Sequence, residues 1–203
     1  MSAGLDRFGL AFRCLGWAWH QPPGPDNTRA LLAFDDLGGW VLEAADPDTR
    51  RGLEQLRACR AQWGGHSLAE LEADFNRLFV GPGPLLAPPW ESAQRGVDHL
   101  LFDQHTLAVR ACYARFGLEA PNRGREPDDH LGLELAFLAQ LCDRAATLAL
   151  AGFLEQHLLR WAPRCLGQVL AGARTLYYQG LAHLTLGCLD GAGRAFPPAP
   201  GAS

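Results

Sequence analysis

Apolar residues recur three and four positions apart through most of the chain, and clusters of proline and glycine separate these segments. This period is typical of amphipathic helices and not of strands. The segment that follows Ser67 and Glu70, which form a capping box, shows the period most clearly. Its apolar face consists of Leu68, Leu71, Phe75, Leu78 and Phe79. The pattern as a whole predicts an all-α fold.

Helix start and stop signals divide the chain into about nine helices. The second helix is expected to be capped by Asp26 or Asn27, and the third by Asp46, which precedes a proline. The expected spans in chain order are 5–20, 31–37, 47–63, 68–79, 103–117 and a longer helical region from 128 to 190, broken near Gly152, Pro163 and Gly172. Residues 1–190 are expected to form a single compact domain, and residues 191–203 a disordered tail.

The composition agrees with a helical fold. Leucine and alanine, which are among the strongest helix formers, supply 35 and 31 of the 203 residues. Isoleucine is absent, and there are five valines and six threonines, although a sheet normally depends on β-branched residues. The composition therefore strongly disfavours an all-β or a doubly wound α/β fold, and the length suits one domain.

Several function classes are excluded by residues that the chain lacks. All 18 basic residues are arginine, which excludes mechanisms that need a lysine, such as a P-loop nucleotide site or a pyridoxal phosphate site. Ser67 and Ser92 are the only serines away from the chain ends, and no GxSxG motif surrounds either. The net charge is −4 and no basic block occurs, which disfavours nucleic-acid binding.

The cysteines and the apolar segments indicate where the protein works. None of the six cysteines forms a CxxC motif, so they predict neither a zinc nor an iron–sulfur site, and free buried thiols fit a reducing compartment. The charged N-terminal segment predicts a first helix and not a signal peptide. The longest uncharged helical stretch, Thr175–Leu189, has 15 residues and is too short to cross a membrane. A cytoplasmic protein without a transmembrane segment is expected.

The first segment that points to a function runs from Phe79 to Ser92. Its central ten residues contain four prolines and two glycines, so it cannot be helical, and Gly81 and Gly83 permit tight turns. It also carries two leucines and Trp90, which a solvated linker does not need. Two interpretations stand: a lid whose tryptophan fills the core, or an apolar docking groove in which a stiff loop presents an aromatic anchor.

The second such segment is Glu126-Pro127-Asp128-Asp129-His130, followed by Leu131-Gly132-Leu133-Glu134-Leu135, where the loop from Leu118 to Pro127 leads into the next helix. Four acids lie there within nine residues, namely Glu126, Asp128, Asp129 and Glu134. The structural interpretation is that Asp128 or Asp129 caps the helix, where acids are also favoured by the helix dipole, and that His130 is hydrogen-bonded into the loop.

Three functional interpretations of this second loop remain open. His130 and Glu134 are one helical turn apart and could bind a metal, although a zinc site takes three or four ligands. Asp129 and His130 could act as acid and base, although no nucleophile or oxyanion motif accompanies them. The four acids could instead bind a peptide that carries arginine.

Motifs in both loops resemble the TorD/DmsD family of redox-enzyme maturation chaperones, and its DmsD branch most closely. The motifs are Phe75-Asn76-Arg77-Leu78-Phe79-Val80-Gly81-Pro82, Pro88-Pro89-Trp90-x-Ser92, Leu101-Phe102 with Thr106-Leu107-Ala108, and Glu126-Pro127-x-Asp129-His130. His157-Leu158, Trp161 and the closing helix from Tyr177 to Leu189 fit as well. The resemblance covers residues 30–190.

The resemblance implies an all-α fold of about ten helices and a cytoplasmic chaperone without catalytic residues or a cofactor. Such a chaperone binds the twin-arginine leader of a molybdopterin oxidoreductase and delays its export until cofactor insertion and folding are complete. The leader and components of the Tat translocase are the implied partners, and a nitrate-reductase-type subunit-assembly chaperone is the alternative. The implied peptide-binding residues are Phe79, Pro89, Trp90, Glu91, Ser92, Glu126, Pro127, Asp129 and His130.

Two positions depart from the family pattern. Glu91 follows the tryptophan where the DmsD branch usually has a glycine, and a glycine there would permit backbone conformations that glutamate resists. Asp103-Gln104-His105 stands where Gly-Asp-Ser is expected, which leaves a different client enzyme open. Some members of the family are linked to weak GTP binding, but this chain has neither a P-loop nor a lysine, so no GTP site is predicted.

Overall fold

The computed structural model describes residues 2–33, 39–63, 68–96, 101–121 and 124–198. These residues form ten α-helices and two π-helical segments and contain no strand, which confirms the predicted all-α fold. The α-helices are α1 (Ser2–His20), α2 (Pro25–Leu32), α3 (Pro47–Ala61), α4 (Leu68–Phe75), α5 (Glu91–Arg95), α6 (Gln104–Arg115), α7 (Leu131–Asp143), α8 (Thr147–Phe153), α9 (Leu159–Gly172) and α10 (Leu176–Ala195). The π-helical segments are Asn76–Val80, which continues α4, and Leu154–Leu158, which joins α8 to α9.

The start of α2 differs from the prediction because its N-cap is Gly24, and neither Asp26 nor Asn27. Asn27 instead stabilises this end from inside the helix, since its side-chain oxygen accepts a hydrogen bond from the Gly24 N–H at 2.6 Å. The expected span over 31–37 therefore begins at Pro25, and residues 34–37 lie outside the described residues. Ser67 of the predicted capping box also lies outside them.

Most other helix boundaries follow the sequence signals. The break expected near Pro163 is wrong, because Pro163 lies inside α9, and the break between α7 and α8 was not expected. Asp46 caps α3 as predicted, and its carboxylate accepts from the Thr49 N–H at 2.7 Å. The short helix α5 was not expected. Helix α10 continues to Ala195, and the ring of Phe196 packs against that of Phe8 at 5.3 Å, so residues 191–195 are helical and not part of a tail.

Helices α1 and α7 pack closely because two glycines face each other. A Cβ on Gly16 would lie 2.8 Å from the carbonyl oxygen of Gly132, and a Cβ on Gly132 would lie 2.7 Å from that of Gly16. Any larger residue would force the helices apart at this crossing. Because Gly132 is two residues after His130, the crossing places the start of α7 against His20 at the end of α1.

The core is built largely from leucine and extends through the whole bundle. Helix α3 packs against α10 through Gly52 and Gly180 in a second close crossing. All six cysteines are free; Cys14 and Cys112 are partly exposed, and the other four are buried. Within the described residues, no helix is both long enough and apolar enough to span a membrane.

Candidate functional site

The structure brings the two predicted loops together. Trp90 and His130 form an antiparallel β-bridge. On either side of it, the Leu131 N–H donates to the Pro89 carbonyl at 2.8 Å, and the Glu91 N–H donates to the Asp129 carbonyl at 3.0 Å. These bonds join main chain to main chain, so the loops are held together independently of the side chains that they carry.

The first loop lies along the surface in an irregular conformation that its glycines permit. Gly81 and Gly83 have φ values of +106° and +104°, in the region that favours glycine, as the sequence predicted. The Ala87 N–H donates to the Leu78 carbonyl at 3.1 Å, and the Gln94 side chain donates to the Pro88 carbonyl at 2.9 Å. The loop is therefore a fixed part of the surface.

Trp90 lines a cavity of about 480 Å³ beside this loop. The apolar lining consists of Pro84, Leu85, Pro88, Trp90, Ala93 and Leu101. Trp90 is partly exposed, but its indole N–H is buried and has no hydrogen-bond partner among the described residues. This N–H is therefore a buried donor whose hydrogen bond is not made, which carries a desolvation cost.

Asp129 is completely buried between the two loops and α6. One carboxylate oxygen accepts from the Ser92 N–H and the other from the Thr106 hydroxyl, both at 2.6 Å. Ser92 is also completely buried. Both oxygens of Asp129 are engaged by groups of the protein, so it fixes the loops and does not face solvent.

Asp128 and Glu134 are also buried, so the interpretation in which all four acids bind an arginine-bearing peptide is wrong. The carboxylate of Asp128 forms a two-pronged ion pair with Arg110, with distances of 2.8 and 3.1 Å. Burial raises the pKa of Glu134 well above its usual range, and the nearby negative charges of Glu91 and Asp129 raise it further. Burial and these neighbouring charges therefore favour the protonated form of Glu134.

Glu91 begins α5 and is completely buried. Its carboxylate pairs with Arg95 and, at 2.8 Å, with Nδ1 of His157. Because a helical position has negative φ, the glutamate fits where the family usually has a glycine. Its burial in an ion-paired network gives this departure a structural role.

Of the four acids Glu126, Asp128, Asp129 and Glu134, Glu126 is the one that stays partly exposed. Its carboxylate lies 3.3 Å from Nε2 of His20, and the His20 ring contacts the His130 ring at 5.5 Å. The His130 ring in turn contacts Trp90 at 5.5 Å. His130 thus lies between Trp90, which lines the cavity, and the pair formed by His20 and Glu126.

The remaining predicted residues are placed as follows. Phe79 is buried, and its ring contacts Trp19 and Tyr178. Pro89 and Pro127 are buried as well. None of these three presents a substantial surface to a peptide.

His130 is the N-cap of α7, and the prediction that Asp128 or Asp129 caps this helix is wrong. Its Nδ1 accepts from the Gly132 N–H at 3.0 Å. Burial lowers the pKa of His130 to about 4, although the charge of Glu126 acts in the opposite direction. His130 is therefore neutral at pH 7, with Nδ1 free to accept.

A pH-dependent stability follows from this cap. The folded-state pKa of His130, about 4, lies below the unfolded value of about 6.5, so its contribution is present above pH 6.5 and is lost as pH falls through 4. Between pH 7 and pH 5 we expect the parent to lose about 2 kcal/mol more unfolding free energy than His130→Asn, which retains a capping side chain. Urea unfolding at both pH values measures this. Equal losses in the two proteins would show that His130 is not held neutral.

The alternatives of a metal site and of an acid–base pair find no support in this geometry. Within the described residues, no group of three or more His, Cys, Asp or Glu side chains is arranged to bind a metal. Asp129 bonds to Ser92 and Thr106, whereas His130 bonds to Gly132. The described residues therefore contain no Asp129–His130 pair.

The sequence does not indicate which residues contact the buried acids. Arg110, Thr106 and His157 belong to helices far along the chain from the acids that they contact. His20 was missed too, although it ends the first helix. The Thr106 motif and His157 were noted as family features, but nothing in the sequence showed which acid each would contact.

The chain was compared with families and proteins of known description. Residues 42–167 match the family model described as Nitrate reductase delta subunit. The Tat proofreading chaperone DmsD of Salmonella typhi is 31% identical over 183 residues, which cover 88% of this chain and 85% of that protein. The chaperone protein TorD of Shewanella pealeana is 29% identical over 72% of this chain and 70% of its own length.

A solved structure shares the fold. A protein of Archaeoglobus fulgidus assigned to redox enzyme maturation superposes with a TM-score of 0.56 and 17% identity, over 92% of this chain and 93% of its own. The relatives named above by sequence are chaperones. The chain belongs to the TorD/DmsD family of redox-enzyme maturation chaperones, as the motifs in its loops indicated.

Proposed function

We propose that this chain is a cytoplasmic, non-enzymatic chaperone that binds the twin-arginine leader of a molybdopterin oxidoreductase. By holding the leader it delays export until cofactor insertion and folding are complete, and components of the Tat translocase are its second class of partner. The observation that carries the proposal is the similarity to the Tat proofreading chaperone DmsD over 88% of the chain.

The cavity of about 480 Å³ beside Trp90, which we call the groove, suits the apolar run of such a leader. It is lined by proline, leucine and tryptophan on a loop that the protein already holds in place, so little entropy is lost when a peptide binds. Trp90 adds an aromatic surface to this cavity, and tryptophan is among the residues that most often dominate binding energy. The core-plug interpretation of Trp90 does not account for its partial exposure at a cavity.

The arginines of the leader are assigned to Glu126. It is partly exposed, and its contact with His20 lies on the other side of His130 from Trp90. A guanidinium can form paired hydrogen bonds with a carboxylate, which favours arginine over lysine here. Asp129, Ser92 and Glu91, which the resemblance implies as leader contacts, are completely buried, and we assign them the role of holding the site's framework in position.

The proposal is tested by titrating the protein with a synthetic peptide that carries two adjacent arginines followed by an uncharged apolar run. A second peptide, with both arginines replaced by glutamine, is the control. We expect the arginine peptide to bind more tightly. Equal binding of both peptides would contradict the assignment of the arginines, and absence of binding by either would contradict the leader site altogether.

The salt dependence of binding isolates the contribution of Glu126. Raising the salt from about 0.1 M to about 1 M shortens the screening length from about 10 Å to about 3 Å. We expect the affinity of the arginine peptide to fall by about threefold, because one partly exposed ion pair contributes little. In Glu126→Gln the affinity should be nearly independent of salt. An equal salt effect in both proteins would remove Glu126 from the site.

A subunit-assembly chaperone that acts on the body of its client is the second candidate. The observation that favours it is the family model, whose description is Nitrate reductase delta subunit. The two functions differ in what they bind. Capture of a client enzyme that lacks its leader would favour the assembly role, whereas binding of the isolated leader favours the proposed one.

A further inference from the structure

A cysteine, a histidine and a glutamate from three different elements form a connected chain of polar contacts. The Sγ atom of Cys112, on α6, lies 3.9 Å from Nε2 of His157, in the second π-helical segment. Nδ1 of the same imidazole lies 2.8 Å from a carboxylate oxygen of Glu91, at the start of α5. The ring of Phe153 stacks on His157 at 4.6 Å, so the imidazole is held in place from its face as well.

The contacts of His157 with Glu91 and Cys112 place a positive charge beside the sulfur atom. Burial alone would lower the pKa of His157, but its hydrogen bonds with Cys112 and Glu91 and the charge of Glu91 raise it to about 9. His157 is therefore an imidazolium at neutral pH, with one N–H directed to the carboxylate and the other to the sulfur. An adjacent imidazolium is a recognised means of activating a cysteine.

The thiol is accessible to small molecules. Cys112 is partly exposed and lines a cavity of about 210 Å³ together with Arg115, Phe116, Gln156 and His157. The cavity admits a molecule of a few atoms and has no room for a peptide. It is separate from the cavity beside Trp90, and the two share no lining residue.

We infer that Cys112 is a nucleophilic thiol and a modification site for small hydroperoxides, with His157 as its charge partner and Glu91 as the residue that positions His157. The inference extends beyond leader binding and does not depend on it. Nothing in the proposed leader site uses the thiol or the imidazole.

The reaction balances with hydrogen peroxide as the oxidant. The thiolate of Cys112 attacks one peroxide oxygen, an S–O bond forms, and the O–O bond breaks. Sulfur loses two electrons and becomes a sulfenic acid, and the second oxygen leaves as hydroxide. The His157 imidazolium gives its proton to the hydroxide, so the products are the sulfenic acid, water and a neutral imidazole.

Cys14 provides an internal reference within the same protein. It is partly exposed, as Cys112 is, but among the described residues it has no histidine partner, and burial raises the pKa of its thiol. The four buried cysteines have thiol pKa values that burial raises, to about 11 for Cys59 and about 12 for Cys142. Selective reaction at Cys112 is therefore measurable in the unmodified chain.

The experiment follows each cysteine by mass spectrometry in the full-length folded protein at pH 7. Iodoacetamide measures the alkylation rate, and dimedone traps sulfenic acid after treatment with hydrogen peroxide. We expect Cys112 to be alkylated at least about tenfold faster than Cys14 and to be the main dimedone adduct. In urea-denatured protein the two rates should become similar, because the imidazole no longer faces the sulfur.

Two variants separate the contribution of His157 from general accessibility. His157→Gln should lower the Cys112 rate by about tenfold. The matched control is His183→Gln, since His183 also pairs with a carboxylate, Asp48, at 2.6 Å, but has no cysteine beside it. The control should leave the Cys112 rate unchanged.

Several outcomes would overturn the inference. One is a Cys112 rate in the folded parent no higher than that of Cys14, and another is a folded His157→Gln that reacts as fast as the parent. If His157→Gln does not fold, the folded and denatured parent still test the inference. A Cys112 alkylation rate that stays higher than that of Cys14 in urea would not come from this geometry and would contradict it. The leader titration is independent of all these measurements, so either proposal can fail alone.

Discussion

Replacing Asp129 with alanine is expected to lower the free energy of unfolding by about 3 kcal/mol. The substitution leaves the Ser92 N–H and the Thr106 hydroxyl buried without their acceptor, and each such group costs about 1–3 kcal/mol. Urea unfolding at pH 7 measures the difference.

Two further variants make this expectation specific. Asp129→Asn retains an oxygen for one of the two donors, so we expect a loss of about 1–2 kcal/mol. Asp143→Ala breaks an exposed ion pair with Arg13 at 2.9 Å and should change stability by less than about 1 kcal/mol. A loss for Asp129→Ala no greater than that for Asp143→Ala would contradict the structural role. So would a variant of unchanged stability that no longer binds the leader.

The fold could be predicted because its signals are local. Helical spacing, the Asp46 cap and the prolines of the first loop each act within a few residues, and the structure places the helices accordingly. The exceptions are local competitions as well. The N-cap of α2 is Gly24, because the Asn27 side chain accepts from the Gly24 N–H and the helix therefore begins before Asp26 and Asn27.

The candidate site could be predicted only in part, because burial depends on distant partners. The two loops were recognised from their composition, and the bridge between Trp90 and His130 joins them. Whether an acid faces solvent or the interior was decided by residues that the sequence does not link to it. Asp128 pairs with Arg110 across 18 positions, and Asp129 bonds to Ser92 across 37.

The same reasoning explains why a histidine caps α7. A charged aspartate two residues before the helix would satisfy its N-terminus, but Asp129 is already committed to the other loop. His130, which burial keeps neutral, supplies the acceptor instead. Asp128, Asp129 and Glu134 therefore form a framework, and Trp90 with its groove and Glu126 is the surface that we propose for the peptide.

Trp90→Ala is expected to weaken leader binding by about 2 kcal/mol, or about thirtyfold, while the protein stays folded. The side chain lines the groove and supplies the aromatic part of its surface. The loops should stay joined without it, because the flanking bonds of Pro89 and Glu91 are made by the main chain. Titration with the twin-arginine peptide, together with thermal melts, measures both effects.

The matched control for this prediction is Trp17→Ala, because Trp17 is an exposed tryptophan on α1 that does not line the groove. It should bind the peptide as the parent does. Trp90→Phe keeps an aromatic ring without the N–H, so its affinity should lie between those of the parent and of Trp90→Ala. If Trp90→Ala instead melts far below the parent and its folded fraction binds the peptide normally, Trp90 belongs to the core and the leader site lies elsewhere.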